Sequence, residues 1–196
     1  MADPVMCFDN PPDMLRKKVC VNPLSKNLKG TLTPIEKKEE SCAAPPCKTL
    51  KTIHRLKVEA RVNRPCDSRL ARAFSGTIVV ERLITAFDQD GMHRGVHAGD
   101  FEWFGSGLKV TGRISGLTNE GTHRLPVFKD CQPCDARGVM EGRLCGQVVK
   151  SQDPALKRCQ VVAAYRIKFD PSASGGSGAV TGVLEGVIVC ACQQHG

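Results

Sequence analysis

The chain has 196 residues, of which 41% are hydrophobic and 24% are charged, and it carries a net charge of +8. This balance supports one folded domain of ordinary size with an appendage, and it excludes a wholly disordered chain. No apolar run approaches the roughly 18 residues that a membrane-spanning helix needs, so we expect no membrane span.

Cysteine is unusually frequent, with 11 residues in the chain. Such density indicates disulfide cross-links or metal ligands, and the odd total leaves at least one sulfur without a partner inside the chain. The first residues lack a basic stretch followed by an apolar run, so we expect no signal peptide. The cysteine content nevertheless predicts an oxidising final location, either extracellular or on a cell or spore surface.

Residues 1–50 are predicted to form an extended N-terminal arm that is rich in Cys, Pro and Lys, rather than a domain. They hold seven of the 12 prolines in the chain. Proline lacks a backbone N–H and disfavours helix in the residue before it. We therefore expect extended chain over most of this segment, with one short helix over residues 12–19.

Residues 51–196 are predicted to form a glycine-rich antiparallel β-domain. Apolar residues fall mostly on alternate positions over residues 52–63, which is typical of a strand with one buried face. Further strands are expected over residues 74–87, 99–115, 138–149, 160–169 and 179–190, each bounded by turn residues. With one helical turn at 153–157 and no long amphipathic helix, the pattern predicts an all-β antiparallel barrel, with a jelly-roll sandwich as the alternative.

Glycines recur at four-residue intervals in two of these strands, at Gly138, Gly142 and Gly146 and at Gly178, Gly182 and Gly186. The spacing places each set on one face of its strand, and such density marks the bends and close approaches that curved sheets need. Residues 174–186, Ser-Gly-Gly-Ser-Gly-Ala-Val-Thr-Gly-Val-Leu-Glu-Gly, resemble the glycine signature near the end of allene-oxide-cyclase and dirigent-type β-barrels. The resemblance implies a barrel for residues 51–196, and it matches none of that family's pocket residues.

The cysteines divide into two groups by position. Six lie towards the termini and are candidates for disulfides between subunits or from arm to body: Cys7, Cys20, Cys42, Cys47, Cys190 and Cys192. Five lie within the β-domain and are candidates for internal disulfides: Cys66, Cys131, Cys134, Cys145 and Cys159. The Cys131–Cys134 pair has the spacing of half a zinc site, but no second such pair completes it. Disulfides are therefore favoured, structural zinc is the alternative, and no other cofactor is expected.

One segment is dense in polar side chains: Asn119, Glu120, His123 and Arg124. We interpret it as a turn whose side chains satisfy backbone groups, since no Ser/His/Asp or Cys/His arrangement accompanies it, and we predict no catalytic residue. His93 and His97 are four residues apart, but the glycines around them disfavour a helix, so a loop is expected. The basic stretch 48–72 lacks interleaved aromatic residues, and we do not predict nucleic-acid binding.

Three aromatic residues lie among glycines: Phe101, Trp103 and Phe104. Phe101 and Trp103 share one strand face, and the group is interpreted either as core or as anchors of a subunit contact. The leading hypothesis is a structural, self-assembling subunit, whose arm docks on neighbouring copies and is disulfide-linked to them in a filament or coat-like assembly. Two alternatives stay open: a small-ligand-binding or enzymatic barrel with a polar mouth near residues 118–124, and a zinc-stabilised binding module.

Overall fold

The computed structural model describes residues 19–41, 48–63, 67–88, 94–119, 138–170 and 178–191. Eight strands form a closed antiparallel barrel in which each strand pairs with the next and β8 pairs with β1. The strands are β1 (Val19–Ser41), β2 (Lys48–Val62), β3 (Gly76–Asp88), β4 (Arg94–Gly105), β5 (Leu108–Asn119), β6 (Val139–Ser151), β7 (Gln160–Phe169) and β8 (Gly178–Ala191). The predicted barrel is confirmed, and the sandwich alternative is not adopted.

The barrel has two ends that differ in their connections. At the end called here the base, β2 joins β3 through residues 63–75, β4 joins β5 through residues 106–107, and β6 joins β7 through residues 152–159. The strand ends at the opposite side of the barrel define what is called here the loop end. Two 3-10 turns, Ala71–Phe74 and Pro154–Leu156, both belong to the base. No helix in the described ranges is long and apolar enough to cross a membrane.

Apolar side chains line the barrel interior because most strand positions alternate between the buried and the outer face. On β7, the residues at every second position from Val161 to Phe169 are buried. Equivalent positions on the other strands contribute Leu28, Val58, Val80 and Leu144, among others, to one continuous core. This period of two is the pattern that identified most of the strands from sequence.

Glycines on two neighbouring strands make room for a large side chain inside the barrel. Phe101 on β4 pairs with Gly112 on β5, which in turn pairs with Gly146 on β6. A Cβ atom on Gly146 would lie 2.6 Å from Cζ of Phe101, so the aromatic ring occupies the space that this glycine leaves. The two glycines of β6 that are four residues apart, Gly142 and Gly146, therefore both lie at inward-facing positions.

A buried ion pair ties the base connection to β1. The Lys26 ammonium lies 2.6 Å from Oδ2 of Asp67, and both side chains are fully buried. Lys26 also donates to the carbonyl of Ala71 at 2.9 Å, and the Ser25 N–H donates to Oδ1 of Asp67 at 2.6 Å. Burial lowers the pKa of Lys26, and the hydrogen bond and charge of Asp67 oppose that shift. These contacts hold residues 67–75 across the base.

The start of the barrel differs from the predicted arm, because residues 19–41 form β1 and pair with both β2 and β8. Two prolines explain the difference. Pro23 precedes Lys26, where pairing with β2 begins, and Pro34 follows Leu32, where pairing with β8 ends. At both places the described strands pair with β1 on one side only, and proline, which has no N–H, is tolerated where a ladder hydrogen bond is not made. Residues 1–18 and 42–47 of the predicted arm lie outside the described ranges.

The single strand predicted over residues 99–115 is wrong. This region contains a hairpin, in which β4 ends at Gly105 and β5 begins at Leu108. The two-residue turn between them uses Gly107 at a φ of +71°, a conformation that glycine adopts without strain. The other predicted strands match the structure to within a few residues, as does the helical turn predicted over residues 153–157.

One disulfide lies inside the described barrel and joins the two predicted cysteine groups. Gln160 pairs with Val189, so the adjacent Cys159 and Cys190 face each other at the base, where they form a disulfide. Cys159 is thus an internal cross-link as predicted, whereas the assignment of Cys190 to links between subunits or from the arm is wrong. Its position on β8, next to β7, determines the pairing. Cys20 and Cys145 are also disulfide-bonded.

Candidate functional site

Polar side chains enter the barrel interior near the loop end. The strand register places one inward position from each of six strands in a row, running Thr52, Thr85, His97, Gly116, Gly142 and Tyr165 from β2 to β7. Thr85 and His97 are almost completely buried, and so is Tyr165. Thr85 is satisfied locally, because its hydroxyl donates to the carbonyl of Thr52 at 3.2 Å.

The centre of this row is a hydrogen-bonded group that we call the Thr–His–Tyr network, formed by Thr118, His97 and Tyr165. Nδ1 of His97 lies 2.7 Å from Oγ1 of Thr118, and Nε2 of His97 is hydrogen-bonded to the hydroxyl of Tyr165. His97 is only 2% exposed and Thr118 is fully buried. The imidazole is therefore held from both of its nitrogens inside the barrel.

Two glycines allow Tyr165 to reach His97 across two intervening strands. Gly142 and Gly116 occupy the inward positions of β6 and β5 between them. A Cβ atom on Gly142 would lie 2.8 Å from the hydroxyl oxygen of Tyr165 and 2.1 Å from the carbonyl oxygen of Ser115. Any larger residue at position 142 would displace the tyrosine ring or separate the strands.

The network is electrically neutral at pH 7. Burial lowers the pKa of His97 from 6.5 to about 4, because the low-dielectric interior disfavours the imidazolium. Burial also raises the pKa of Tyr165, so its hydroxyl keeps its proton. A neutral imidazole has one N–H donor and one acceptor nitrogen.

The network holds one more proton than its own hydrogen bonds use. Thr118, His97 and Tyr165 each contribute one donor, but only two hydrogen bonds join the three side chains. Either Tyr165 donates to Nε2 and the Thr118 proton is left over, or Thr118 donates to Nδ1 and the Tyr165 proton is left over. Within the described residues no acceptor takes this remaining proton. A buried donor without an acceptor costs about 1–3 kcal/mol, so an acceptor from outside the described residues would be favoured.

His54 adds further unused hydrogen-bonding capacity. It lies on the same face of β2 as Thr52, one inward position closer to the base, opposite Leu83. It is 8% exposed, and neither ring nitrogen has a hydrogen-bond partner. Burial lowers its pKa. Two other buried atoms without partners, Oγ of Ser25 and Nε1 of Trp103, belong to the base.

A groove of about 460 Å³ lies on the outer wall of the barrel, away from the network. It follows the interruption of the β3–β4 ladder between Val79 and Ile84, and its lining includes Asp100 and Arg113. Those two side chains form a solvent-exposed ion pair at 3.4 Å. Exposed pairs of this kind contribute little binding energy, so the groove is a weaker candidate than the interior network.

The predicted site residues are distributed unevenly. Phe101 and Trp103 are core residues and not interface anchors, because both point into the barrel, where Trp103 packs edge-on against Phe74 at 5.7 Å. Phe104 points outward and is 43% exposed. Asn119, expected in a polar loop, is fully buried at the end of β5. The remaining predicted site residues lie outside the described ranges: Cys7, Cys42, Cys47, Cys66, Glu120, His123, Arg124, Cys131, Cys134 and Cys192. The zinc alternative, which depends on Cys131 and Cys134, therefore stays a prediction.

Sequence reasoning missed three residues of the interior site. His97 was expected in a loop, but it lies in β4 on the same face as Phe101 and Trp103, so the aromatic alternation continued backwards would have placed it inside. Tyr165 is the single tyrosine and lies in the buried alternation of β7. A tyrosine at a buried position needs a hydrogen-bond partner for its hydroxyl, so the sequence alone indicates a polar group inside the barrel near it. His54 carries no comparable signal, because a bulge follows it on β2.

Comparisons with protein-family models, with curated proteins and with solved structures gave no match. The resemblance to allene-oxide-cyclase and dirigent-type barrels accordingly stays a prediction.

Proposed function

We propose that this protein binds a small molecule inside the barrel near the loop end, at the site formed by His54 and the Thr–His–Tyr network. The observation that supports it is the unused hydrogen-bonding capacity of these buried groups. Among the described residues, neither nitrogen of His54 has a partner and one proton of the network has no acceptor. Buried polar groups are normally satisfied, and exceptions mark sites where a water or a ligand completes the set. The interior of an eight-stranded barrel is either filled by side chains or holds one small ligand, and here the inward positions of β5 and β6 beside the network are glycines.

Binding is favoured over catalysis by the chemistry of the described interior. The buried charged groups in the described ranges are Lys26 and Asp67, which lie at the base and are bonded to each other. The site itself offers neutral donors and acceptors, without an adjacent carboxylate or an activated nucleophile among the described residues. Such a set orients and holds a ligand, whereas acid–base work needs a group that changes its protonation state near the working pH.

The test is a titration of the full chain with two small probes, phenol and acetophenone, monitored by saturation-transfer NMR. The proposal expects saturable binding that weakens about threefold to tenfold in His54→Leu, because this change removes one hydrogen bond to the ligand. The same loss is expected in either Thr118→Val or Tyr165→Phe, namely in the variant that lacks the hydroxyl holding the remaining proton. Ser115→Ala, at an exposed position on the outer face of β5, is the matched control and should bind as the wild type does. If neither phenol nor acetophenone binds saturably, the proposal is wrong.

Self-assembly is a second candidate function, favoured by an apolar patch on the outer wall. Val96 and Leu117 pair directly across β4 and β5 and are 57% and 47% exposed, and the exposed Ile84 lies beside them on β3. The occupant proposed for this patch is a second copy of the chain, which would bury these apolar surfaces. The disulfides support an oxidising, extracellular or cell-surface location for such an assembly.

Light scattering of the wild type and of Leu117→Lys tests self-assembly. A concentration-dependent oligomer that Leu117→Lys disperses would support it. A monomer at every concentration, with one band on both reducing and non-reducing gels, would rule out both the packed and the disulfide-linked forms.

A further inference from the structure

We propose that the ligand is a neutral molecule with an apolar body and a carbonyl-type oxygen, and that this oxygen accepts the remaining proton of the Thr–His–Tyr network. The inference rests on the proposed binding function and specifies its ligand class. It follows from three properties of the described residues at the site: the balance of donors and acceptors, the absence of a facing charge among them, and their apolar surroundings.

The donor balance selects an acceptor. With three donors and two internal hydrogen bonds, the network has a proton to give, whichever tautomer His97 adopts. Both hydroxyl oxygens already take part in a hydrogen bond to the ring, and the proton that is left sits on one of them. An oxygen acceptor of the ligand completes the set, and one N–H or N of His54 can engage a second polar atom.

The charge distribution selects a neutral ligand. Among the described residues, the charged side chains that are buried are confined to the Lys26–Asp67 pair at the base. The ionisable groups at the site are His54, His97 and Tyr165, and burial favours the neutral form of each. A carboxylate or phosphate placed there would lose its hydration without gaining a counter-charge from the described barrel wall, which costs several kcal/mol.

The surroundings select an apolar body. Thr118 pairs with Met140, and Met140 pairs with Ile167, so the wall beside the network is aliphatic. Val180 and Phe169, which pair across β7 and β8, extend this apolar wall towards the loop end. Contact with such a wall removes apolar ligand surface from water, which favours binding in proportion to the area covered.

The test compares three probes of nearly equal size at pH 7: acetophenone, which carries a neutral carbonyl; benzoate, which carries an anionic one; and ethylbenzene, which carries none. Dissociation constants are measured by NMR titration of the full-length, oxidised protein. Acetophenone is expected to bind about threefold to tenfold more tightly than ethylbenzene, which corresponds to one net hydrogen bond. Benzoate is expected to bind at least tenfold more weakly than acetophenone.

Each outcome has a defined meaning. Tightest binding by benzoate, or equal binding by ethylbenzene and acetophenone, overturns the ligand class while leaving the binding function intact. Failure of all three probes overturns the proposed binding function itself.

Two variants then locate the donor within the network. Thr118→Val and Tyr165→Phe each remove one of the two hydroxyl groups that could donate to the ligand. The variant that lacks the actual donor should bind acetophenone about threefold to tenfold more weakly and should bind ethylbenzene as the wild type does. The identity of that variant reveals which tautomer of His97 is present. If neither variant changes the ratio of the two affinities, the proposed acceptor contact is wrong. Ser115→Ala serves again as the control, and thermal unfolding of each variant checks that the barrel remains folded.

Discussion

Removal of the Lys26 ammonium is expected to be among the most damaging single changes in the barrel. In Lys26→Met, a side chain of similar length keeps the packing but leaves Asp67 buried without its counter-charge. The Ser25 N–H would remain its hydrogen-bond partner, while the bonds from Lys26 to Asp67 and to the Ala71 carbonyl would be lost. Breaking a buried pair from one side typically costs about 3–5 kcal/mol, so the free energy of unfolding should fall by that amount.

A double variant distinguishes this cause from simple loss of packing. In Lys26→Met/Asp67→Asn no buried charge remains and the amide oxygen still accepts from Ser25, so about half of the lost stability should return. Arg113→Ala, which breaks the exposed pair with Asp100, should cost less than about 1 kcal/mol and serves as the control. Urea denaturation under oxidising conditions measures all of these values. A Lys26→Met variant no less stable than the Arg113→Ala control would refute the reasoning.

Three further changes test other parts of the account. Gly142→Ala should lower stability by about 1–3 kcal/mol and perturb the Tyr165 ring signals in NMR spectra, because its Cβ would lie 2.8 Å from the tyrosine oxygen; an unchanged spectrum would contradict this placement. Replacing Cys159 and Cys190 together with Ala should cost about 2–4 kcal/mol in urea denaturation, because the disulfide closes a chain segment with a sequence separation of 31; equal midpoints would argue against it. The pKa of His97 is about 4 when folded and 6.5 when unfolded, so the unfolded state binds more protons between these values. Stability should therefore fall by about 3 kcal/mol as the pH drops through that window, and His97→Gln should flatten the slope of stability against pH.

Most strands of the barrel could be predicted from local patterns because apolar residues recur at alternate positions, most regularly in β7. β7 was placed with its observed bounds, since each second residue from Val161 to Phe169 is apolar. β1 was not recognised, because Pro23 and Pro34 argue against a strand unless the partners on each side are known. Whether β1 has one neighbour or two at a given residue depends on the register of β2 and β8, which local sequence does not contain.

The candidate site was harder to predict because its members are far apart in the chain. His97 and Tyr165 are separated by 68 residues and meet only because Gly116 and Gly142 align between them in the closed sheet. The glycine spacing indicated one face of β6 but not which side chain would use the space. A direct hydroxyl–imidazole contact across two strands requires the three-dimensional register.

Imidazole nitrogen shifts of ¹⁵N-histidine-labelled protein, recorded at pH 7 during a titration with acetophenone, show whether a ligand enters the barrel. We expect His97 to be neutral before the probe is added, and the signals of His54 and His97 to shift saturably as the probe binds. Unchanged signals from both rings up to high probe concentration, or changes confined to residues of the outer wall, would contradict a ligand site inside the barrel.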